Sequence, residues 1–187
     1  MPNAILDPTG TATTSSASAN TAQPAARAAR PASLNGKRVG LLINTKLNAR
    51  PFLEEVGRLL TQQYGVTVTT RTKQNFAVPE TEDAIKEMAA ESDVIVTGVG
   101  DCGSCSAAAA ADGVVLEAAG VPVAVIVTDS FRATADAMAA LRGAPGYKYA
   151  TTAHPVAVLE EDQVKARAAQ VLDDVVALLT EKGTVGE

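Results

Sequence analysis

Hydrophobic residues fall into two kinds of block along this chain, and the two kinds alternate. Short runs of β-branched and apolar residues read as strands, and longer stretches with an apolar position every three or four residues read as helices. Lys37 to Ile43 is the first strand. Pro51 suits the opening turn of a helix through about Tyr64, with Phe52, Leu53, Val56, Leu59 and Leu60 on one face, and Gly65 stops it. Val66 to Arg71 alternates Val and Thr and predicts a second strand. Pro79 to Ala90 predicts a second helix, acidic in its first turn and apolar at Ala84, Ile85 and Met88.

The next block organises the rest. Val94-Ile95-Val96 starts a strand buried on both faces, a glycine-marked turn follows, and an Ala-rich helix runs from about Ser104 to Ala119. Pro122 to Thr128 is a fourth buried strand, after which Asp129 and Ser130 offer N-cap chemistry for a helix through Leu141. Tyr147 to Ala153 predicts a short fifth strand leading into His154 and Pro155. Glu160 to Leu179 predicts a last amphipathic helix, with Val164, Ala168, Val171, Leu172, Val175, Val176 and Leu179 on its inner face.

Such alternation predicts an α/β fold: a flavodoxin-like, doubly wound parallel sheet of four or five strands, with helices on both faces and strand order 2-1-3-4-5. Residues 1–34 form a low-complexity N-terminal segment rich in Ala, Thr, Ser and Pro. It is expected to be disordered or extended, because it has too little apolar surface to offset its ordering entropy. Residues 35–187 are the single α/β domain. Ile5-Leu6-Asp7-Pro8-Thr9-Gly10 stands apart as a turn with an apolar anchor, and docking of residues 1–34 on the body or on a partner stays open.

Composition narrows the functional classes. Aromatics are 3% against 47% apolar residues, so the core is built from Ala, Val, Leu and Ile. A net charge of -5 argues against nucleic acid as a partner. No apolar run is long enough to span a bilayer, and the N-terminus lacks a basic segment followed by an apolar core. The expectation is a cytoplasmic protein acting on a small molecule, with no membrane partner. A homo-oligomer or a paired homologous subunit remains open.

Both cysteines of the chain, Cys102 and Cys105, lie in the turn after the third strand, spaced C-x-x-C. Two cysteines so close cannot form a secreted disulfide framework, and in a βα setting they read as redox-active or metal-binding. Cys102 would precede the helix, where the dipole and free N–H groups favour a thiolate. Cys105 would close or resolve a disulfide. Ligands of doubly wound folds bind at the carboxyl ends of the strands. That gathers Asn44, Lys46 and Asn48 after the first strand, Gly100, Asp101, Gly103 and Ser104 around the cysteines, Asp129, Ser130 and Arg132 after the fourth strand, and His154 after the fifth.

In that cluster Lys46 and Arg132 are the cations placed to hold a carboxylate, and the glycines would present backbone N–H groups to an anion. Asp101 and His154 join the cysteines as catalytic candidates, His154 being the one imidazole in the chain. Gly98-x-Gly100-x-x-Gly103 also matches a dinucleotide fingerprint, but it follows the third strand, and the acidic residue expected about 20 positions on at the end of the next strand comes later, at Asp129. No tightly bound cofactor is predicted, although an external thiol or dithiol reductant fits. A metal site from Cys102, Cys105 and His154 lacks a fourth ligand, and a serine triad lacks its G-x-S-x-G elbow.

At Gly100-Asp101-Cys102-Gly103-Ser104-Cys105 the chain resembles the UGSC family of selenoproteins and their cysteine homologues, in which selenocysteine or cysteine holds the position of Cys102. The resemblance extends from the Ile5–Gly10 turn to His154-Pro155. In its motif the family is similar to the selenoprotein B component of glycine and betaine reductases, which cleaves a carbon–nitrogen bond through a selenolate. Interchange of selenium and sulfur implies that the atom at position 102 is a nucleophile or redox centre.

The leading expectation is therefore a thiol-dependent oxidoreductase or C–X bond-cleaving enzyme, with nucleophilic or redox chemistry on a small, anionic substrate. A cysteine-dependent lyase or isomerase without net redox change, built like the aspartate/glutamate racemases, stays open. So does a non-catalytic redox-sensing subunit of a larger complex.

Overall fold

The computed structural model describes residues 27–181. Five parallel strands form one sheet: β1 (Arg38–Ile43), β2 (Thr67–Thr72), β3 (Val94–Gly100), β4 (Val123–Thr128) and β5 (Ala150–Thr152). Their order is β2-β1-β3-β4-β5, with the direction of winding reversing between β1 and β3. The helices are α1 (Ala49–Tyr64), α2 (Glu82–Glu91), α3 (Gly103–Ala118), α4 (Arg132–Leu141), α5 (Glu161–Gln170) and α6 (Leu172–Leu179).

Period-two alternation divides the strand side chains between two cores. Leu41 and Ile43 of β1 point with Val94 and Val96 into a layer closed by α1, α5 and α6, through Phe52, Leu53, Val56, Val164, Val175 and Leu179. Leu42 points the other way with Ile95, Val123 and Val125, under Ile85 and Met88 of α2, the alanines of α3, and Ala135 and Ala139 of α4. Phe52 is fully buried, worth about 1.5–3 kcal/mol relative to an exposed ring. β3 and β4 are buried at every position, as central strands covered on both faces must be.

Several boundaries differ from the sequence pattern for local reasons. α2 starts at Glu82 because Thr81 caps it, its side chain accepting from Ala84 N–H. The inner face read as one helix is broken at Val171, and α6 restarts with Asp173 and Asp174 in its first turn. Asp129 and Ser130 do not cap α4. They lie in a 3-10 turn, Asp129–Phe131, and α4 begins at Arg132 without a side-chain cap.

Residues 28–34 pack against the amino end of the sheet. Leu34 is fully buried, and the Arg30 guanidinium forms a two-pronged ion pair with Glu117 at 2.5 and 2.7 Å. The same carboxylate accepts N–H groups from Ala28 and Val123, so a buried charge has its lone pairs satisfied. A second buried pair, Lys73–Asp112, ties the end of β2 to α3, and Asp112 also accepts the Glu80 N–H. Burial pushes the Asp112 carboxyl above its usual range, with Lys73 opposing the shift. The Ile5–Gly10 turn lies outside the described residues.

Candidate functional site

The carboxyl ends of β1, β3, β4 and β5 meet at one edge of the sheet. At the centre is the turn after β3, where Cys102 is the N-cap of α3 with extended backbone. Its Sγ accepts the Cys105 N–H at 3.3 Å, the place a Ser or Asp oxygen takes in an ordinary cap. Cys102 is half-buried, and Ser104 beside it is exposed, its hydroxyl 3.7 Å from Sγ. Cys105 is fully buried and points its sulfur at the Cys102 carbonyl at 3.2 Å. The two cysteines are paired, with Cα atoms 5.4 Å apart.

The glycines of the turn differ in role. A Cβ on Gly100 would sit 2.7 Å from Ser106 Oγ and 2.9 Å from Val127 Cγ1, so packing of α3 on the sheet requires glycine there. A Cβ on Gly103 would meet nothing within 4 Å, so only there does the glycine leave open space.

A family model, the UGSC family, matches residues 4–181, which include this turn. The chain belongs to the UGSC family. No curated protein matches it. A crystal structure described as an ABC transporter permease from the Pseudomonas fluorescens group shares 18% identity at a TM-score of 0.40. That likeness covers 75% of this chain and 32% of the other, so the chain spans about a third of that protein. A TM-score so low says nothing of function.

In this UGSC chain Asp101 holds the site together. Its carboxylate is buried, with Oδ1 2.9 Å from His154 Nδ1 and Oδ2 accepting the N–H groups of Val156 and Ala157 at 3.0 and 2.8 Å. Asp129 accepts the His154 N–H at 3.1 Å and the Ser130 hydroxyl at 3.4 Å. Asp101, Asp129 and His154 are thus joined in one hydrogen-bonded loop cluster, to which Cys102 is attached by its peptide bond to Asp101.

The remaining candidates are spread along the edge. Asn44 is buried, its amide donating to the Val99 carbonyl and its oxygen accepting the Lys46 N–H. Asn48, at positive φ before α1, donates to the carbonyls of Val156 and Leu159. Both side chains shape loops. The Lys46 ammonium lies over the Phe76 ring, 4.9 Å from its centroid. Arg132 is exposed at the start of α4, and its carbonyl accepts the Tyr149 hydroxyl.

Sequence pattern gave no sign of three further participants. Thr128 is fully buried, donates to the Gly100 carbonyl at 3.1 Å, and lies 3.3 Å from His154 Nδ1. Phe131 meets the imidazole edge-on, ring centroids 5.3 Å apart. Ser106 lies in the first turns of α3, buried and with its hydroxyl unpartnered. Thr128 ends an apolar strand and looks there like a β-former, while the other two sit in helical pattern. Among the described residues, no group of three or more His, Cys, Asp and Glu is arranged to hold a metal ion, and no helix is long and apolar enough to cross a membrane.

Proposed function

We propose that this chain is a thiol-dependent enzyme of the cytoplasm that acts on a small, anionic molecule, with Cys102 as nucleophile and Cys105 as resolving thiol. The observation that carries the reading is the placement of Cys102: half-exposed, at the N-terminus of a 16-residue helix, with a backbone N–H directed at its sulfur. A helix N-terminus favours the thiolate, and a second cysteine within one helical turn can capture an adduct.

In the redox form of the reaction, the Cys102 thiolate attacks one atom of an electrophilic bond. That bond breaks, and the departing atom leaves with its electron pair and takes a proton. The Cys105 thiolate then attacks the Cys102 sulfur, displacing the bound fragment, which is protonated in turn. The substrate gains two electrons, the cysteines become a disulfide, and an external dithiol restores them. Two cysteines in a single turn favour this over an isomerase that places them on opposite sides of its substrate.

Intact-mass screening of Cys105→Ser against electrophilic anionic metabolites tests the reading. A covalent adduct on Cys102 that accumulates in this variant and not in the wild type supports it. Turnover that survives the substitution would replace the redox form with a lyase or isomerase. A Cys102 that forms no adduct with any electrophile, even a reactive alkylating one, would sink the proposal.

A further inference from the structure

The thiol reading needs a proton donor for the departing atom, and the hydrogen bonds around His154 define one. Two acceptors face His154 Nδ1. One is Asp101 Oδ1 at 2.9 Å, and a carboxylate only accepts. The other is Thr128 Oγ1 at 3.3 Å, whose single hydrogen is already donated to the Gly100 carbonyl at 3.1 Å. A hydroxyl that has spent its hydrogen also has only lone pairs to offer. Nδ1 must therefore carry a hydrogen, which leaves Nε2 as the nitrogen that gains and loses a proton.

The ring is also held in place. Phe131 packs against it edge-on, with a 76° angle between the planes. Asp129 takes its backbone N–H, and Asp101 Oδ2 takes the next two free backbone N–H groups, those of Val156 and Ala157. About a third of the imidazole side chain stays exposed at this edge, 34%, whereas the Asp101 side chain is 3% exposed. Asp101 is bonded directly to Cys102, so the carboxylate that orients the imidazole belongs to the cysteine turn itself.

We infer that Asp101 and His154 form an acid–base dyad serving Cys102, in which Asp101 is the positioning residue and His154 Nε2 delivers the proton to the leaving group. The inference depends on the thiol reading for its reaction, but the ring's tautomer does not. With a disulfide as substrate, the Cys102 thiolate forms a new S–S bond and the substrate's S–S bond breaks. The departing thiolate then takes the proton from Nε2 of the imidazolium, and water reprotonates the ring.

Two measurements test the dyad. Nitrogen-15 NMR of the chain's single histidine needs no assignment by mutation, and the neutral ring is expected to show hydrogen on Nδ1. Asp101→Asn should weaken that preference. Hydrogen on Nε2 in the wild type would overturn the dyad. The second measurement uses Cys105→Ser as background and compares dithiobis(nitrobenzoate), whose aryl thiolate leaves without help, with bis(hydroxyethyl) disulfide, whose alkyl thiolate benefits from protonation.

His154→Gln is expected to slow the alkyl disulfide about 10- to 100-fold more than the aryl one. Asp101→Asn should act in the same direction by a smaller factor. Equal slowing of both reagents indicates mere loss of structure and rejects the inference. A wild-type Cys102 inert to both reagents would reject the thiol reading, while the tautomer measurement would still judge the geometry.

Discussion

Asp101 Oδ1 and His154 Nδ1 lie 2.9 Å apart although 53 residues separate them in the chain. The other oxygen of the carboxylate holds the two amides that follow Pro155. One side chain therefore fixes both the ring and the course of the loop behind it. Asp101→Ala would leave two backbone donors unsatisfied and the ring nitrogen with only its longer contact to Thr128 at 3.3 Å. We expect a loss of about 2–4 kcal/mol, read as a lower urea midpoint with an unchanged slope.

Exposure separates the two thiols. Cys102 is half-buried at the helix start, and Cys105 is fully covered. After reduction, iodoacetamide should label Cys102 at least about tenfold faster than Cys105, because reactivity follows thiolate character and access. Peptide mass mapping over time checks the order, and equal rates would contradict it.

The Arg30–Glu117 pair is 5% and 3% exposed at its side chains. Arg30→Ala strands the Glu117 carboxylate beneath the segment that Arg30 anchors, and should cost about 3–5 kcal/mol. Arg30→Ala combined with Glu117→Gln removes the stranded charge and should recover part of that loss. Thermal unfolding of the two variants decides it. A single variant as stable as the wild type would mean that the Arg30–Glu117 pair adds nothing to the fold.

Acid should expose a contribution from Asp93. The Arg38 guanidinium and its backbone N–H both bond this carboxylate and hold its pKa below the ordinary value. A native pKa below the unfolded one gives stability that is present above the ordinary aspartate range, near pH ~3.9, and is lost as pH falls through the native value. The stability gap between wild type and Asp93→Asn should thus be widest near neutrality and close in acid. A gap that is constant with pH would show that Arg38 does not hold the charge.

Much of the fold was legible because strands and helices write their burial into the sequence as periods. Leu41, Leu42 and Ile43 alternate between two cores, and the order β2-β1-β3-β4-β5 is the one expected of a flavodoxin-like, doubly wound sheet. The cysteine turn was legible as chemistry because both sulfurs sit in one short motif. What stayed hidden rests on single side-chain contacts between distant segments, which leave no period. Arg30 lies in an Ala- and Pro-rich stretch whose composition reads as a tail, and only its partner Glu117, far along the chain, gives it a place. Asp129 has the composition of a helix cap, yet its carboxylate is used by His154 instead. The break at Val171 had a local sign in the paired acids Asp173 and Asp174, but a continuous apolar face obscured it.

The alanines of α3 have a mechanical consequence. Ala108 to Ala111 are all buried, and the helix bearing them is wedged among α2, α4, β3 and β4. Side chains that short bring the backbone close to its neighbours on nearly every side and leave no slack for it to tilt or slide. The sulfur at its tip is mounted like a tool bit in a chuck. When the sulfur gains or loses a bond, the yielding must come from the sulfur's own torsions and from the open ground beside Gly103, while the shaft behind it keeps its aim.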